Sequence, residues 1–501
     1  MNITVIGTGY LGAVHAACMA ELGHRVLGVD TRPERIARLA RGEAPFFEPG
    51  LGDLLARGIS SGRLSFGGSL ADAADFGQVH FICVGTPQLP GSLAADTRHV
   101  EAVIDGLAPH LDRPALVVGK STVPVGTAAR LVGPLASLAP AGSEAELAWN
   151  PEFLREGHAV QDTLAPDRLV GGVSSDRADA TLRRVYAPVI AAGTPYIRTD
   201  LATAELAKVS ANAFLATKIS FINAMADLCD AAGADVVTLA EILGHDGRIG
   251  RGAMSAGLGF GGGCLPKDLR ALLARGAELG VAGSLAFLHE IDLINTSRRE
   301  NVVGLARTLA GGSLESVNVA VLGAAFKPDT DDVRDSPALA VAVAVRSAGA
   351  SVRVHDPQAG DNARKAAPTL DYVPDAETAC VDADIVLHLT DWQQYREVDP
   401  AALRTVVRRP VLIDARNALP HRRWREAGWT VRCMGIGTGL TGSTRDTPAG
   451  YGERKEEACG SWLPGGPAFS ARICAMRLSA GVTRSSASMT CRPGDRRTSG
   501  T

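Results

Sequence analysis

The chain has 501 residues, of which 46% are hydrophobic and 21% charged, and its formal net charge is -3. This length exceeds one hydrophobic core and predicts about three domains, and the near-neutral charge without a long basic run argues against nucleic acid or an anionic membrane as the main partner. Neither a charged and then apolar leader nor an apolar run of membrane-spanning length is visible, so we expect a soluble cytoplasmic protein.

The first predicted unit runs from residue 2 to residue 30 and has the pattern strand, glycine turn, helix, strand. The turn GTGYLG places Gly7 at the tight bend, Gly9 where a pyrophosphate approaches the backbone, and Gly12 where the helix packs on the strand. The second strand, RVLGVD, ends on Asp30, whose carboxylate suits a ribose 2′-hydroxyl. This order of elements predicts a dinucleotide site.

The type of dinucleotide follows from the same acid. Asp30 would repel a 2′-phosphate and therefore favours NAD over NADP. Arg32 and Arg35 lie nearby and weaken this preference, because a guanidinium group attracts such a phosphate.

Two loops follow apolar strands and should lie at the carboxyl edge of the first sheet. FICVGTP ends a strand at Cys83 and turns at Gly85, and Thr122 in GKSTVPVGT follows the strand from residue 115 to residue 118. Active residues often occupy this edge of a parallel sheet.

The segment WNPEFLREGHAVQD predicts a helix start. Asn150 can cap the helix and Pro151 can take its first position, which would put Glu152 and Glu156 one turn apart on the same side. The two acids would then either serve a site or only complement the helix dipole.

A long helix is predicted from residue 202 to residue 231, which contains neither proline nor glycine. It could join two α/β domains and pair with a copy of itself, or it could be an ordinary core helix of one domain. Lys208 and Asn212 share one face beside Glu205. This stripe could hold an oxyanion or a hydroxyl group, or it could simply face solvent.

The stretch GFGGGCLPKDLRAL places a thiol, an ammonium group and a carboxylate at Cys264, Lys267 and Asp268. Cys264 is therefore either a nucleophile or a small apolar filler. The nine cysteines of the chain show neither CxxC pairs nor histidines at metal-binding spacing. This scatter argues against a zinc site and against a disulfide framework, and we expect no metal.

The strand-turn-helix-strand layout returns late in the chain. The segment from residue 316 to 326 predicts a strand and a glycine turn, a helix follows from about residue 336 to 347, and GASVRVHDP places Asp356 where the first unit has Asp30. Because the three-glycine fingerprint is missing, this unit should bind something other than a dinucleotide. Residues 438–501 are rich in Gly, Ser, Thr and Arg and predict a disordered tail rather than a small appended domain.

Eight motifs, in this order over residues 1–437, resemble the UDP-glucose/GDP-mannose dehydrogenase family: GTGYLG, FICVGTP, KSTVPVGT, NPEFLREG, AELAKVSANAFLATKISFINAMADLC, GFGGGCLPKD, FKPDTDDVRDSP and IDARN. The resemblance implies an α/β protein with two Rossmann-like doubly wound domains joined by a long central helix. It assigns NAD binding to residues 1–198, dimerisation and the cysteine loop to 199–312, and UDP-sugar binding to 313–437. It also implies a homodimer.

The resemblance further implies the oxidation of a sugar C6 alcohol to a carboxylate, with two NAD and a cysteine thioester. A base must take the hydroxyl proton, and the thiol must hold the intermediate aldehyde as a hemiacetal. The implied catalytic residues are Cys264, Lys208, Asn212, Asp268, Glu152 and Thr122.

Binding residues follow from the same resemblance. The implied cofactor contacts are Gly7, Gly9, Tyr10, Leu11, Gly12, Asp30, Arg35, Thr86, Thr122, Glu156, Lys267 and Arg334. The implied substrate contacts are Glu152, Phe153, Leu154, Lys208, Asn212, Phe260, Gly261, Lys327 and Arg416, with Arg248 donated by the neighbouring subunit. The stretch RIGRGAMSAGLGFGG lacks the aromatic and asparagine residues often found there in the family, which leaves the sugar-loop contacts open.

Two other classes of protein could share part of this pattern, and more than one nucleotide sugar could be the substrate. A two-electron NAD hydroxyacid dehydrogenase would not need the cysteine loop or the second nucleotide-binding unit. A catalytically silent nucleotide-sugar-binding protein would lose Cys264, Lys208 or Asp268, and all three are present. Among substrates, KSTVPVGT and the long helix resemble the UDP-glucose branch of the family more than its GDP-mannose or UDP-N-acetylhexosamine branches, which implies UDP-glucose.

Overall fold

The computed structural model describes residues 1–437. The tail for which we expect disorder lies outside the described residues. The strands are β1 Asn2–Ile6, β2 Arg25–Val29, β3 Leu64–Gly67, β4 Val79–Ile82, β5 Ala115–Gly119, β6 Ala145–Trp149, β7 Leu169–Gly172, β8 Tyr196–Thr199, β9 Asn318–Leu322, β10 Ser351–His355, β11 Asp371–Tyr372, β12 Ile385–His388, β13 Val411–Asp414 and β14 Thr430–Cys433.

The helices surround these strands on both sides. They are α1 Tyr10–Glu21, α2 Pro33–Ala40, α3 Leu51–Ser60, α4 Leu70–Phe76, α5 Arg98–Leu107, α6 Thr127–Leu138, α7 Ala159–Leu164, α8 Asp176–Val185, α9 Ala187–Ala191, α10 Leu201–Ala232, α11 Val236–Gly244, α12 Leu265–Glu278, α13 Ala282–Leu285, α14 Phe287–Leu309, α15 Pro337–Ser347, α16 Gly360–Ala366, α17 Ala376–Cys380, α18 Gln393–Glu397, α19 Pro400–Val406 and α20 His421–Glu426.

The first sheet has eight strands in the order β3-β2-β1-β4-β5-β6-β7-β8. All neighbours pair in parallel except β6 and β7, which are antiparallel. The central strands β4 and β5 consist of buried residues throughout, as expected for strands covered by helices on both faces. The strand order reverses between β1 and β4, which opens a crevice at their carboxyl ends.

The second sheet has six parallel strands in the order β11-β10-β9-β12-β13-β14. It repeats the start of the first sheet, and the predicted second unit is confirmed as β9, α15 and β10. The amide of Gly7 donates to the carbonyl of Val29 at 2.7 Å, and the amide of Gly323 donates to the carbonyl of His355 at 2.8 Å. Both sheets therefore close their first turn in the same way.

The predicted long helix is confirmed as α10. The Asp200 side chain caps its first turn by accepting a hydrogen bond from the amide of Thr203, and Gly233 ends it in the left-handed region at φ 72°. One face of α10 packs against α12 and α14. The opposite face exposes Phe214, Phe221 and Leu228.

The predicted helix start at Pro151 is wrong. Residues 151–158 form a loop without helix, and α7 begins only at Ala159. The Asn150 side chain is not free to cap a helix, because its Nδ2 donates to the carbonyl of Val170 at 2.8 Å and its Oδ1 accepts hydrogen bonds from Lys120 and Tyr186. Glu152 and Glu156 therefore do not share a helical turn.

Within residues 1–437, no helix is long and apolar enough to cross a membrane. Over the same residues, no group of three or more His, Cys, Asp or Glu side chains is placed to hold a metal ion.

Glycine at the end of β5 is required by packing. Gly119 pairs with Trp149 across β5 and β6, and a Cβ atom at position 119 would lie 2.2 Å from the indole ring. We predict that Gly119→Ala lowers the stability of the fold by about 1–3 kcal/mol through overpacking. Thermal unfolding should show a lower midpoint for this variant.

The matched control is Gly133→Ala in α6, where an added Cβ has open space. Alanine is the better helix former, so this change should leave the midpoint unchanged or raise it. An unchanged midpoint for Gly119→Ala would contradict the packing argument.

Candidate active site

The glycine turn between β1 and α1 has the geometry of an anion site. Gly7 adopts φ 90°, and a Cβ at Gly12 would lie 1.7 Å from the carbonyl oxygen of Gly7. A Cβ at Gly9 would meet nothing within 4 Å, and Gly9 caps α1 without a side-chain hydrogen bond. Gly9 thus leaves space beside the start of α1. The first amides of a helix, here including those of Tyr10 and Leu11, have no intrahelical partner and suit the pyrophosphate of NAD.

Asp30 lies at the end of β2 and holds this turn in place. Its Oδ2 accepts hydrogen bonds from the Thr8 amide at 2.9 Å and from the Arg35 guanidinium at 2.9 Å, and its Oδ1 accepts one from the Arg32 amide at 3.0 Å. Burial raises the pKa of Asp30, but these hydrogen bonds outweigh it and leave the pKa below its usual value. The structure thus brings together two expected cofactor residues, Asp30 and Arg35.

Tyr10, Glu156 and Arg334 form a second cluster of expected cofactor residues. The Tyr10 hydroxyl donates to Asp331 Oδ1 at 3.0 Å, and the Arg334 guanidinium lies 5.0 Å from the centre of the Tyr10 ring. Arg334 also donates to Glu156 Oε1 at 3.2 Å. The residues that follow β9 therefore contact the turn that follows β1.

Glu156 has an unusual environment within this cluster. Burial and the neighbouring Asp332 raise its pKa to about 8, although Arg334 and Lys327 act in the opposite direction. Its Oε2 atom is buried without a hydrogen-bond partner. Glu156 therefore holds on to its proton more strongly than an exposed glutamate does, because burial and Asp332 disfavour its charged form.

Cys264 is the N-cap residue of α12, which begins at Leu265 and has Pro266 in its first turn. The glycines before it are in close contact with neighbouring residues. A Cβ added at Gly261 would lie 2.3 Å from the carbonyl oxygen of Asp335, and a Cβ added at Gly263 would lie 2.3 Å from the guanidinium carbon of Arg334. The amide of Gly262 donates to the Arg334 carbonyl at 2.9 Å. These contacts fix the loop against the 334–335 segment and explain the glycines without any bound sugar.

The expected catalytic side chains converge near this loop. Asn212 Nδ2 donates to Asp268 Oδ2 at 2.7 Å, and Lys267 pairs with Asp268 Oδ1. Lys208 Nζ lies 2.9 Å from Glu152 Oε1. Lys208, Asn212 and Asp268 are all buried, so a solvent-facing stripe on α10 is excluded.

Glu205, on the same stripe, has a different role. Its carboxylate accepts hydrogen bonds from the amides of Gly126 at 2.7 Å and Ala128 at 2.6 Å. These amides lie at the start of α6, so Glu205 ties the helix that carries Lys208 to the segment after Thr122.

Thr122 and Asp268 line the same small cavity, together with Pro124, Val209 and Arg275. The Thr86 hydroxyl donates to the Thr122 carbonyl at 2.6 Å, so these two expected residues are also brought together. The sheet-edge loops therefore meet at the cysteine loop, as their positions after parallel strands predict.

The expected substrate residues occupy three environments. Phe153 stacks on the Arg168 guanidinium at 3.8 Å, and the Leu154 amide donates to Glu152 Oε2 at 2.8 Å. Phe260 exchanges two backbone hydrogen bonds with the Asn295 side chain, at 2.7 and 3.0 Å. Lys327 lies 5.8 Å from the Phe326 ring, and burial lowers its pKa.

Arg416 and Arg248 differ sharply in exposure. Arg416 is half-buried and donates to the carbonyls of Leu389 at 2.7 Å, Gly259 at 2.9 Å and Phe326 at 3.1 Å. It thereby joins the second sheet to the cysteine loop. The Arg248 side chain is 91% exposed, pairs with Asp246 and is not brought to the other site residues within this chain.

The sequence analysis did not identify Lys120 as a site residue, because a lysine before Ser-Thr is typical of a solvated loop. It is buried, with Nζ 3.0 Å from Asn150 Oδ1 and 3.4 Å from the Tyr186 hydroxyl. Burial lowers its pKa to about 8, partly offset by Cys83 and Glu152. The three side chains join the ends of β5 and β6, from which Thr122 and Glu152 emerge.

These features define an NAD-dependent oxidoreductase with a second nucleotide-binding domain. Three domain descriptions of one family match the sequence: the NAD binding domain over residues 1–190, the central domain over 202–297 and the UDP binding domain over 320–421. The chain belongs to the UDP-glucose/GDP-mannose dehydrogenase family. The expected fold class and NAD as cofactor are confirmed.

Individual relatives agree with this assignment. The chain is 41% identical to a UDP-glucose 6-dehydrogenase of Rhizobium meliloti, over 83% of this chain and 95% of the relative. It resembles the solved UDP-glucose dehydrogenase of Pyrobaculum islandicum at 39% identity and a TM-score of 0.79, over 86% of this chain and 98% of that one. A UDP-D-ManNAc dehydrogenase of Pyrococcus horikoshii matches at 28% identity and a TM-score of 0.76, over 87% and 100%.

The electrostatic environment of Cys264 yields a prediction. Burial, followed by Asp268, Glu152 and Glu156, raises the pKa of the thiol to about 12, whereas Lys267 lowers it. The reactive form is the thiolate, so iodoacetamide should alkylate Cys264 slowly at pH 7 and faster as the pH rises. Asp268→Asn removes an acid that raises the pKa and should speed alkylation at pH 7 roughly tenfold.

Peptide mass spectrometry after timed alkylation would measure this rate at Cys264 itself. Asp292→Asn is the matched control: Asp292, in α14, pairs with Arg270 of α12, the helix that carries Asp268. Asp292 is not among the groups that shift the Cys264 pKa. Slower alkylation in Asp268→Asn would contradict the assigned cause.

Proposed function

We propose that the chain oxidises UDP-glucose to UDP-glucuronate, using two NAD and one water per sugar. The observation that carries the proposal is the convergence of Cys264 with the Lys208–Glu152 pair and the Asn212–Asp268 pair. UDP-glucose is favoured because the named UDP-glucose dehydrogenases share 39–41% of their residues with this chain, against 28% for the UDP-D-ManNAc enzyme.

We propose three functional regions: residues 1–198 for NAD, 199–312 for dimerisation and the cysteine loop, and 313–437 for the UDP-sugar. The family matches over 1–190, 202–297 and 320–421 support these limits. On the NAD side we assign Gly7, Gly9, Tyr10, Leu11, Gly12, Asp30, Arg35, Thr86, Thr122, Glu156, Lys267 and Arg334. On the sugar side we assign Glu152, Phe153, Leu154, Lys208, Asn212, Phe260, Gly261, Lys327 and Arg416.

In the first oxidation, Lys208 and Asn212 hold the C6 oxygen. Burial alone would lower the pKa of Lys208, but Glu152, Cys264 and Asp268 together raise it, so the ammonium group stays charged and stabilises negative charge on that oxygen. The hydroxyl proton leaves through a water positioned by Asp268 and Thr122. The nicotinamide of bound NAD supplies the acceptor for the hydride that leaves C6 in each oxidation.

In the second oxidation, Cys264 holds the aldehyde. Its sulfur forms a bond to C6, and the thiol proton moves to the aldehyde oxygen, which Lys208 and Asn212 still hold. Loss of a second hydride from C6 and of the hydroxyl proton leaves a thioester on Cys264.

Hydrolysis returns the enzyme to its starting state. Glu152 takes a proton from water as the water oxygen bonds to C6, the carbon–sulfur bond breaks, and the proton passes to the sulfur. One alcohol and one water thus give a carboxylate, two hydrides and three protons.

The proposal predicts that the wild type forms two NADH for each UDP-glucuronate. Cys264→Ser should fold normally and fail to turn over, stopping at the aldehyde or at a stable ester, because an alkoxide is a far poorer leaving group than a thiolate. NADH yield against product, with intact-protein mass spectrometry for an adduct, measures this.

Other nucleotide sugars serve as control substrates in that experiment. UDP-galactose, GDP-mannose and UDP-N-acetylhexosamines should each give less NADH than UDP-glucose under the same conditions. Uronate formation by Cys264→Ser at nearly the wild-type rate would contradict the thioester mechanism and would mean that Cys264 only fills space in the loop.

We also propose that the active species is a homodimer formed through α10. Phe214, Phe221 and Leu228 are spaced by seven residues, so they lie on one face of the helix, and they are 67%, 47% and 59% exposed. In such a dimer the exposed Arg248 is available to the neighbouring active site.

A charge on this face should prevent assembly. Phe221→Glu is predicted to sediment as a monomer and to lose activity, because burying a carboxylate in an apolar interface is costly. Sedimentation velocity and an NADH assay at the same protein concentration would test both effects together.

Leu138→Glu is the control, since Leu138 is similarly exposed but lies at the end of α6. This variant should remain dimeric and active. A fully active monomer, in the wild type or in Phe221→Glu, would refute the dimer proposal.

A further inference from the structure

The segment from residue 44 to residue 50, with the sequence APFFEPG, joins α2 to α3 and has no role in the site described so far. Three consecutive side chains of this APFFEPG segment, Phe46, Phe47 and Glu48, contact three different parts of the molecule. These contacts link the turn after β1, the second sheet and the loop that carries Glu152 and Glu156.

Glu48 contacts the loop directly. Its Oε2 accepts a hydrogen bond from the Gly157 amide at 2.7 Å, and its Oε1 accepts one from the Ala159 amide at 2.7 Å. Glu48 is buried, and His158, the N-cap residue of α7, makes no side-chain capping bond. A carboxylate distant in sequence therefore satisfies the amides where this loop ends and α7 begins.

The same loop is confined from the other side. Gly157 adopts φ 82°, and a Cβ at this position would lie 2.6 Å from the carbonyl oxygen of Asp329. Gly157 is therefore held between Glu48 and the segment after β9. Residues 151–158 contain no helix or strand, so these contacts replace regular structure in holding the loop.

Phe46 and Phe47 extend the link to the two nucleotide-binding units. The Phe46 ring lies 4.3 Å from the ring of Tyr10, whose hydroxyl donates to Asp331. Phe47 packs against the hydrophobic core on one face of the second sheet. The APFFEPG segment thus contacts the NAD turn and the second domain while Glu48 holds the loop between them.

We propose that Glu48 is a positioning residue, which holds the 151–158 loop so that Glu152 stays on Lys208 and Glu156 stays on Arg334. The proposal rests on the proposed function, because it assigns those acids to the reaction. Glu48 acts through the backbone of the loop and makes no contact with the reacting atoms. Misplacement of Glu152 should slow thioester hydrolysis more than the oxidations, which depend on Lys208 and Asn212 in α10.

Glu48→Gln tests this directly. The amide keeps one acceptor, but its NH₂ group faces a backbone N–H and leaves that N–H unpaired. We expect kcat to fall by roughly 10- to 100-fold, as misplaced catalytic groups commonly cause. Intact-protein mass spectrometry during turnover should show a covalent adduct on Cys264 that the wild type does not accumulate.

Glu43→Gln is the matched control, because Glu43 precedes the same segment but is exposed and pairs only with Arg38 and Arg41 among its ion pairs. It should retain wild-type kcat without an adduct. Should Glu48→Gln fail to fold, Glu48→Asp keeps the charge on a shorter side chain and should show the same adduct to a smaller extent.

A purely structural cap would lower only the melting temperature. Wild-type kcat and no adduct in a folded Glu48 variant would therefore overturn the proposal, while the proposed function would stand. If the wild type does not oxidise UDP-glucose, the proposed function fails instead. Hydrogen exchange then tests the positioning role: it should be faster in residues 151–164 of Glu48→Gln than of Glu43→Gln, and equal rates would refute it.

Discussion

The structure around Cys264 depends on keeping buried charges paired. Lys208 and Asp268 are both almost fully buried, and an isolated charge in such a place would cost several kcal/mol. Lys208 therefore needs Glu152, and Asp268 needs Asn212 and Lys267. The Lys208–Glu152 and Asn212–Asp268 pairs join elements that are far apart in sequence, so the requirement for pairing fixes α10, α12 and the 151–158 loop relative to one another.

Both sheets have an aspartate after their second strand that binds the turn after their first strand, but the two turns differ. Asp30 accepts a hydrogen bond from the Thr8 amide, and Asp356 accepts two from the amides of Ala324 and Ala325. In both units an acid at the end of the second strand closes the turn that follows the first. The first turn leads directly into a helix start with open space beside Gly9, whereas Asp356 of the second unit also accepts a hydrogen bond from the Trp392 indole. The repeat of the fold therefore does not repeat the dinucleotide site.

Periodicity and turn chemistry predicted the elements that depend on local sequence: the first unit, the long helix and the second unit all lie where expected. The prediction of a helix at Pro151 was wrong. The Asn150 side chain is held by Lys120, Tyr186 and Val170, and Glu48 satisfies amides further along the loop. These partners lie between 20 and 111 residues away in sequence. No pattern within a window of the sequence could reveal them.

The same limit applies to the reactive thiol. The sequence places Lys267 and Asp268 close to Cys264 but does not reveal the state of its thiol, which burial and three surrounding acids keep protonated. A protonated thiol is consistent with addition to an aldehyde, because the S–H proton has an acceptor in the carbonyl oxygen that becomes the hemiacetal hydroxyl. It also protects Cys264 from other electrophiles when no aldehyde is present. Two of the three acids that raise the pKa of the free thiol, Glu152 and Asp268, also pair with Lys208 and Asn212. The arrangement that orients the sugar therefore also confines the reactivity of Cys264 to the reaction itself.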